Sequence, residues 1–108
     1  MKIININKTI TSQELLDYLT QKVNPLFHQH RQSDLNFKIE NIDGAIEISQ
    51  PEKYEGVLFR IVIRGKELLI TRSEHYVDDV NSLTVESILN SLFEDLAGNS
   101  GVKITLEG

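Results

Sequence analysis

Two tight-turn signals, Asp43-Gly44 and Gly65-Lys66, constrain this chain more than any other feature of its sequence. A two-residue type I′ turn needs positive φ at both central positions, and Asp-Gly supplies that between alternating apolar runs. Leu35, Phe37 and Ile39 alternate with Asn36, Lys38 and Glu40 before the first turn, and Ile46 and Ile48 follow it. Counting outward sets Ile39 opposite Ile48 and Glu40 opposite Glu47. The run Val57-Leu58-Phe59-Arg60-Ile61-Val62-Ile63 is the most strand-like segment, and Gly65-Lys66 turns it into residues 67–72. That register sets Arg64 against Glu67, Ile63 against Leu68 and Ile61 against Ile70. The expectation is a four-stranded antiparallel meander, its two hairpins joined by the polar connection 51–56.

Helical patterns flank the meander. Thr11-Ser12-Gln13-Glu14 is a capping box, with Ile10 and Leu15 placed to form a hydrophobic staple. Leu15, Leu16, Leu19 and Val23 follow helical spacing. Asn24-Pro25 is expected to break or restart this helix, with Leu26 and Phe27 extending the apolar face. Thr84 reads as the N-cap of a second helix, stapled by Leu83 and Ile88, with Gly98 at its C-cap and Asn99-Ser100-Gly101 as a turn. Val85, Ile88, Leu89, Leu92, Phe93 and Leu96 form its stripe. Residues 2–6 and the alternating Val102, Ile104 and Leu106 are short strands at the two ends. The expected fold is α+β: an antiparallel four- to five-stranded sheet, two helices packed on one face, order β-α-β-β-β-β-α-β. The apolar positions of the meander need that cover.

At 108 residues the chain fits a single domain, residues 1–108, with a core that needs no staple. It contains no cysteine, which excludes thiol nucleophiles, thiolate metal sites and internal disulfides. No apolar run reaches the roughly 20 residues of a membrane helix, and the N-terminus lacks signal-peptide character. Cytoplasmic localisation with no membrane partner is the default expectation. The net charge of −5 disfavours nonspecific nucleic-acid binding. Residues 53–72 carry Lys53, Arg60, Arg64, Lys66 and Arg72 against Glu55 and Glu67. Residues 73–108 carry Glu74, Asp78, Asp79, Glu86, Glu94, Asp95 and Glu107 against Lys103 alone. Such polarity bears on partners.

Two surfaces are candidates for partner binding. One is the second sheet face, where alternation collects Leu58, Arg60, Val62, Arg64 and Leu69. Arginine among apolar neighbours suits a protein interface, although burial of a central strand on both faces would explain the same pattern. The other is the acidic set Asp78, Asp79, Glu86, Glu94 and Asp95, able to occupy a basic groove. A solvated helix face accounts for most of these acids, but Glu94 and Asp95 lie near the helix C-terminus, where negative charge is unfavourable.

Catalytic and metal signals are weak. His28 and His30 share a side only on an extended chain, and His75 or Asp78 would have to complete a metal site. Glu40 and Glu47 make a carboxylate pair that fits acid–base work or an ordinary solvated sheet face. Ser73-Glu74-His75 holds the residue types of a nucleophile system, but neighbours on an extended chain point apart. No phosphate loop, nucleophile elbow or dinucleotide fingerprint is present, and no cofactor is expected.

The core order β-α-β-β-β-α resembles that of ribosome-associated hibernation factors and double-stranded-RNA-binding folds, a likeness of topology alone. Such proteins use basic surfaces, whereas the second helix here carries Glu86, Glu94 and Asp95 and no Lys or Arg. The leading expectation is therefore a non-enzymatic protein-binding module. An inhibitor or immunity-type protein of bacteria, phages or mobile elements is its concrete form. RNA or ribosome association through Lys38, Arg60, Arg64 and Arg72 is the alternative. A structural homo-oligomer burying Leu58, Val62 and Leu69 is a third.

Overall fold

The structure, a computed structural model, describes residues 1–6, 8–97 and 104–106. Its elements are β1 (Lys2–Asn5), α1 (Ser12–Arg31), β2 (Lys38–Ile42), β3 (Ala45–Ser49), β4 (Val57–Arg64), β5 (Glu67–Arg72), a 3₁₀ turn at Glu74–Tyr76, α2 (Val80–Ala97) and β6 (Ile104–Leu106). All strand pairings are antiparallel, in the order β2-β3-β4-β5-β1-β6. The fold is the expected α+β arrangement, with the short β6 added outside β1.

Both hairpins take the expected registers. Ile39 faces Ile48 and Glu40 faces Glu47 across β2 and β3. Arg64 faces Glu67 and Ile61 faces Ile70 across β4 and β5. Asp43 and Gly44 take φ of 52° and 87°, the two positive values that a type I′ turn needs. Asn41 Oδ1 accepts from the Gly44 N–H at 3.0 Å.

Helix α1 starts on its capping box. Glu14 N–H donates to Thr11 Oγ1, and Thr11 N–H donates to Glu14 Oε1, both at 3.1 Å. These bonds hold the exposed Glu14 carboxyl below its ordinary pKa. Beyond that start, the structure corrects the expectation of a break: α1 runs through Asn24-Pro25 to Arg31. Asn24 does not cap a new helix. Its amide donates to the Phe37 carbonyl at 3.0 Å and its carbonyl accepts from the Phe37 N–H at 2.7 Å. One side chain thus pins the chain entering β2, and β2 begins at Lys38 rather than Leu35. Phe37 is nevertheless buried, edge-on to Phe27 at 4.8 Å between ring centroids.

Helix α2 also departs from expectation. It begins at Val80, not after Thr84. Asp79 is the capping residue: Oδ2 accepts from the Ser82 N–H at 2.9 Å, and its carbonyl accepts from the Leu83 N–H. Thr84 lies inside the helix and donates to the Val80 carbonyl, while Leu83 is 45% exposed and staples nothing. The expected cap at Gly98, the turn at Asn99-Ser100-Gly101, and Val102 lie outside the described residues.

Both helices lie on one sheet face. The core joins Ile4, Ile46, Ile48, Phe59, Ile61, Leu68 and Ile70 from the sheet to Leu15, Leu19, Val23 and Phe27 of α1 and Val85, Ile88, Leu89, Leu92 and Phe93 of α2. Among the described residues no helix is long and apolar enough to cross a membrane.

Candidate interaction face

The helices leave the opposite sheet face open. Register places one apolar row across five strands: Ile42 faces Ala45, Ala45 precedes Ile46 (which faces Ile61, beside Val62), Val62 faces Leu69, and Leu69 faces Ile3. Ala45 is buried at 3% exposure, Val62, Leu69 and Ile3 are half-buried, and Ile42 is 40% exposed. Polar rows flank this stripe. Glu40, Glu47, Arg60 and Thr71 run along one side, and Arg64, Glu67 and Asn5 along the other.

Among the described residues every side-chain cation on this face has a carboxylate. Lys38 Nζ lies 3.0 Å from Glu40, Arg60 Nε 3.4 Å from Glu47, and Arg64 Nη2 3.1 Å from Glu67. The described side chains of this face therefore balance, three cations against three carboxylates. Glu40 and Glu47 do stand opposite each other, but each turns to its own cation.

Leu58 does not belong to the face. Ile48 pairs with Phe59 but Ser49 pairs with Val57, so β4 carries one extra residue there. This β-bulge breaks the alternation that set Leu58 beside Arg60 and Val62. Leu58 is fully buried in the core, which removes it from the contact candidates.

At one end of β4 and β5 the face falls into an open depression of about 350 Å³, lined by Val57, Arg60, Thr71, Arg72, Ser73, Glu74 and His75. Ser73 Oγ accepts from the His75 N–H at 3.3 Å, capping the 3₁₀ turn. Its hydroxyl thus has a structural task, and the adjacent trio forms no triad.

The acidic candidates are split. Asp79 is committed to capping α2 and accepts from Tyr54 Oη at 2.8 Å. Glu86 binds Arg72 at 3.2 Å and lies 3.9 Å from Lys2 Nζ. Asp78, Glu94 and Asp95 remain exposed, the last two near the far end of α2.

His28 donates its Nε2–H to the Leu35 carbonyl, 2.9 Å away, which fixes the proton on that nitrogen. His30, two residues on in a helix, points elsewhere. No His, Asp and Glu grouping able to hold a metal occurs among the described residues.

A buried polar cluster went unforeseen in the sequence. Tyr54 Oη donates to Asp79 and accepts from Asn81 Nδ2 at 3.0 Å; the Tyr54 and Tyr76 rings meet edge-on at 4.8 Å; Tyr76 Oη accepts from the Glu55 N–H at 2.9 Å. Burial pushes the Tyr54 phenol up, the Asp79 carboxylate adds to this, and the Asn81 bond opposes it. The cluster ties the connection 51–56 to the start of α2. Its one sequence signal is Tyr54, an aromatic residue in an otherwise polar loop. Ile3, Ile42, Glu47 and Glu67 were also missed as members of the open face, although strand alternation reaches Glu67 from Leu69. Comparison with family models, with curated proteins and with solved structures returns no match.

Proposed function

We propose that this chain is a small non-enzymatic protein-binding module whose contact surface is the open sheet face. The observation that carries this reading is the apolar row Ile42–Ala45–Val62–Leu69–Ile3, framed by ion pairs and covered by no other element among the described residues. A partly exposed apolar stripe with a polar frame has the composition of a protein interface. An inhibitor that occupies a partner protein's surface is one form of such a module. The charge pattern weighs against RNA: Lys38, Arg60, Arg64 and Arg72 each sit against a carboxylate, so phosphate would meet no excess positive charge.

The test is a tagged pull-down from source-cell lysate, with and without nuclease, comparing wild type with Val62→Asp and with the double variant Glu94→Lys/Asp95→Lys. A protein captured by wild type and by the α2 double variant, but lost with Val62→Asp, supports the open face. Capture lost only with the α2 variant moves the site to the acidic helix. Capture abolished by nuclease favours the RNA reading.

A further inference from the structure

We propose that the occupant of the open face is a second copy of this chain, packed sheet on sheet about a twofold axis parallel to the strands and lying between β4 and β5. This rests on the open face being a protein-binding surface, and it names what covers that surface.

Charge decides the occupant. A face built for an acidic or basic partner would carry one sign in excess, whereas the described side chains of this face balance, each cation beside an acid. Such a surface complements itself. A twofold interface is isologous, so each residue meets a different residue of the same patch on the partner copy. With the axis between β4 and β5, each row meets itself while β4 crosses over β5 of the other copy. Val62 then lies over Leu69, Arg64 over Glu67 and Arg60 over Thr71, because each pair shares a register position. An axis along the apolar row would instead set Arg60 over Arg64, like charge on like. Aligned sheets pack about 10 Å apart with interleaved side chains, which suits the short row of Val62, Leu69 and Ile3.

Size sets the strength. Four strands (β3, β4, β5 and β1) lie symmetrically about that axis; about 4.8 Å apart, each giving about five residues at about 3.4 Å, they make a flat footprint on the order of 300 Å² per copy. Stable specific interfaces bury more than twice that, about 800 Å² per partner. The dimer is therefore weak and reversible, forming in the high-micromolar range.

Sedimentation equilibrium of the full chain from about 5 μM to 1 mM tests this. Wild type is expected to show a reversible monomer–dimer equilibrium. Val62→Asp should weaken it at least roughly thirtyfold by burying an unpaired charge. Arg64→Glu and Glu67→Arg should each weaken it about tenfold, since each variant opposes like charges across the axis. Mixing those two variants should restore the dimer, because the reversed charge at 64 of one copy then meets the reversed charge at 67 of the other. All three sites are exposed or half-exposed, and restoration by mixing proves that both charge variants are folded. A wild type that stays monomeric overturns the proposal and leaves the open face to be judged by the pull-down. A dimer insensitive to Val62→Asp, or a mixture that fails to restore association, overturns it as well.

Discussion

Asp79 serves two neighbours with one carboxylate oxygen, which accepts from the Ser82 N–H and from Tyr54 Oη. Removing it takes the cap from α2 and a partner from a buried phenol together. Asp79→Ala should cost about 2 kcal/mol, the upper range for a lost N-cap. Thr84→Ala should change stability by less than about 0.5 kcal/mol, since a mid-helix hydroxyl bonded back to Val80 gains little. Equal losses in urea melts would show that α2 is held at Thr84 instead. Thr84 stands out in the sequence because the apolar stripe starts at Val85. Asp79 does not, because the first turn it caps, Val80-Asn81-Ser82, carries no apolar periodicity to mark a helix start. Tyr54 also gives a pH signature. Its pKa is raised in the folded state, so its contribution is fully present below the ordinary value of 10.0 and is lost as pH rises through the raised one. Tyr18 is raised too, by burial first and then by Asp95. Tyr54→Phe should therefore flatten the decline of unfolding free energy above pH 10.0. An unchanged alkaline slope would mean that Tyr54 ionises freely in the folded protein.

Among elements, the hairpins were legible because local chemistry sets them. Asp43-Gly44 fixes a turn type, the turn type fixes the register, and the register carries Ile39 to Ile48. Helix α1 was legible only to Val23. Pro25 has no N–H for the Gln21 carbonyl, a defect that ends most helices. Here Val23 and Phe27 are fully buried on either side of Pro25, and Asn24 holds the Phe37 backbone at both polar groups. Packing and a tertiary anchor carry the helix across the missing bond. Pro25→Ala should therefore stabilise the chain, by about 1–3 kcal/mol, by restoring that hydrogen bond within an already continuous helix. A loss of stability in thermal or urea unfolding would show instead that the pyrrolidine ring itself packs usefully. The bulge at Leu58 was illegible for a related reason. Alternation counts residues along one strand, while a bulge is a relation between β3 and β4, and no Gly marks the extra residue.

At the scale of the whole molecule, the sequence is electrically polarised, with cations in 53–72 and acids after 73, which invites a reading in terms of an outside partner. Folding consumes part of that polarity internally. β5 brings Arg72, β1 brings Lys2, and α2 brings Glu86 to both of them at the seam between sheet and helix. Lys2 also donates to Asn90 Oδ1 at 2.9 Å, one turn further along α2. The seam joins the two ends of the described core, which only tertiary structure can bring together. If charge holds it, Glu86→Gln should leave two cations sharing no carboxylate and cost about 1 kcal/mol at low ionic strength. That cost should shrink toward zero near 1 M salt, where screening length falls to about 3 Å. Urea unfolding of wild type and variant at both ionic strengths separates the cases. A difference that vanishes with salt assigns the seam to electrostatics. A difference that persists assigns it to packing of the Glu86 stem, and the acids of α2 would then be free to serve a partner after all.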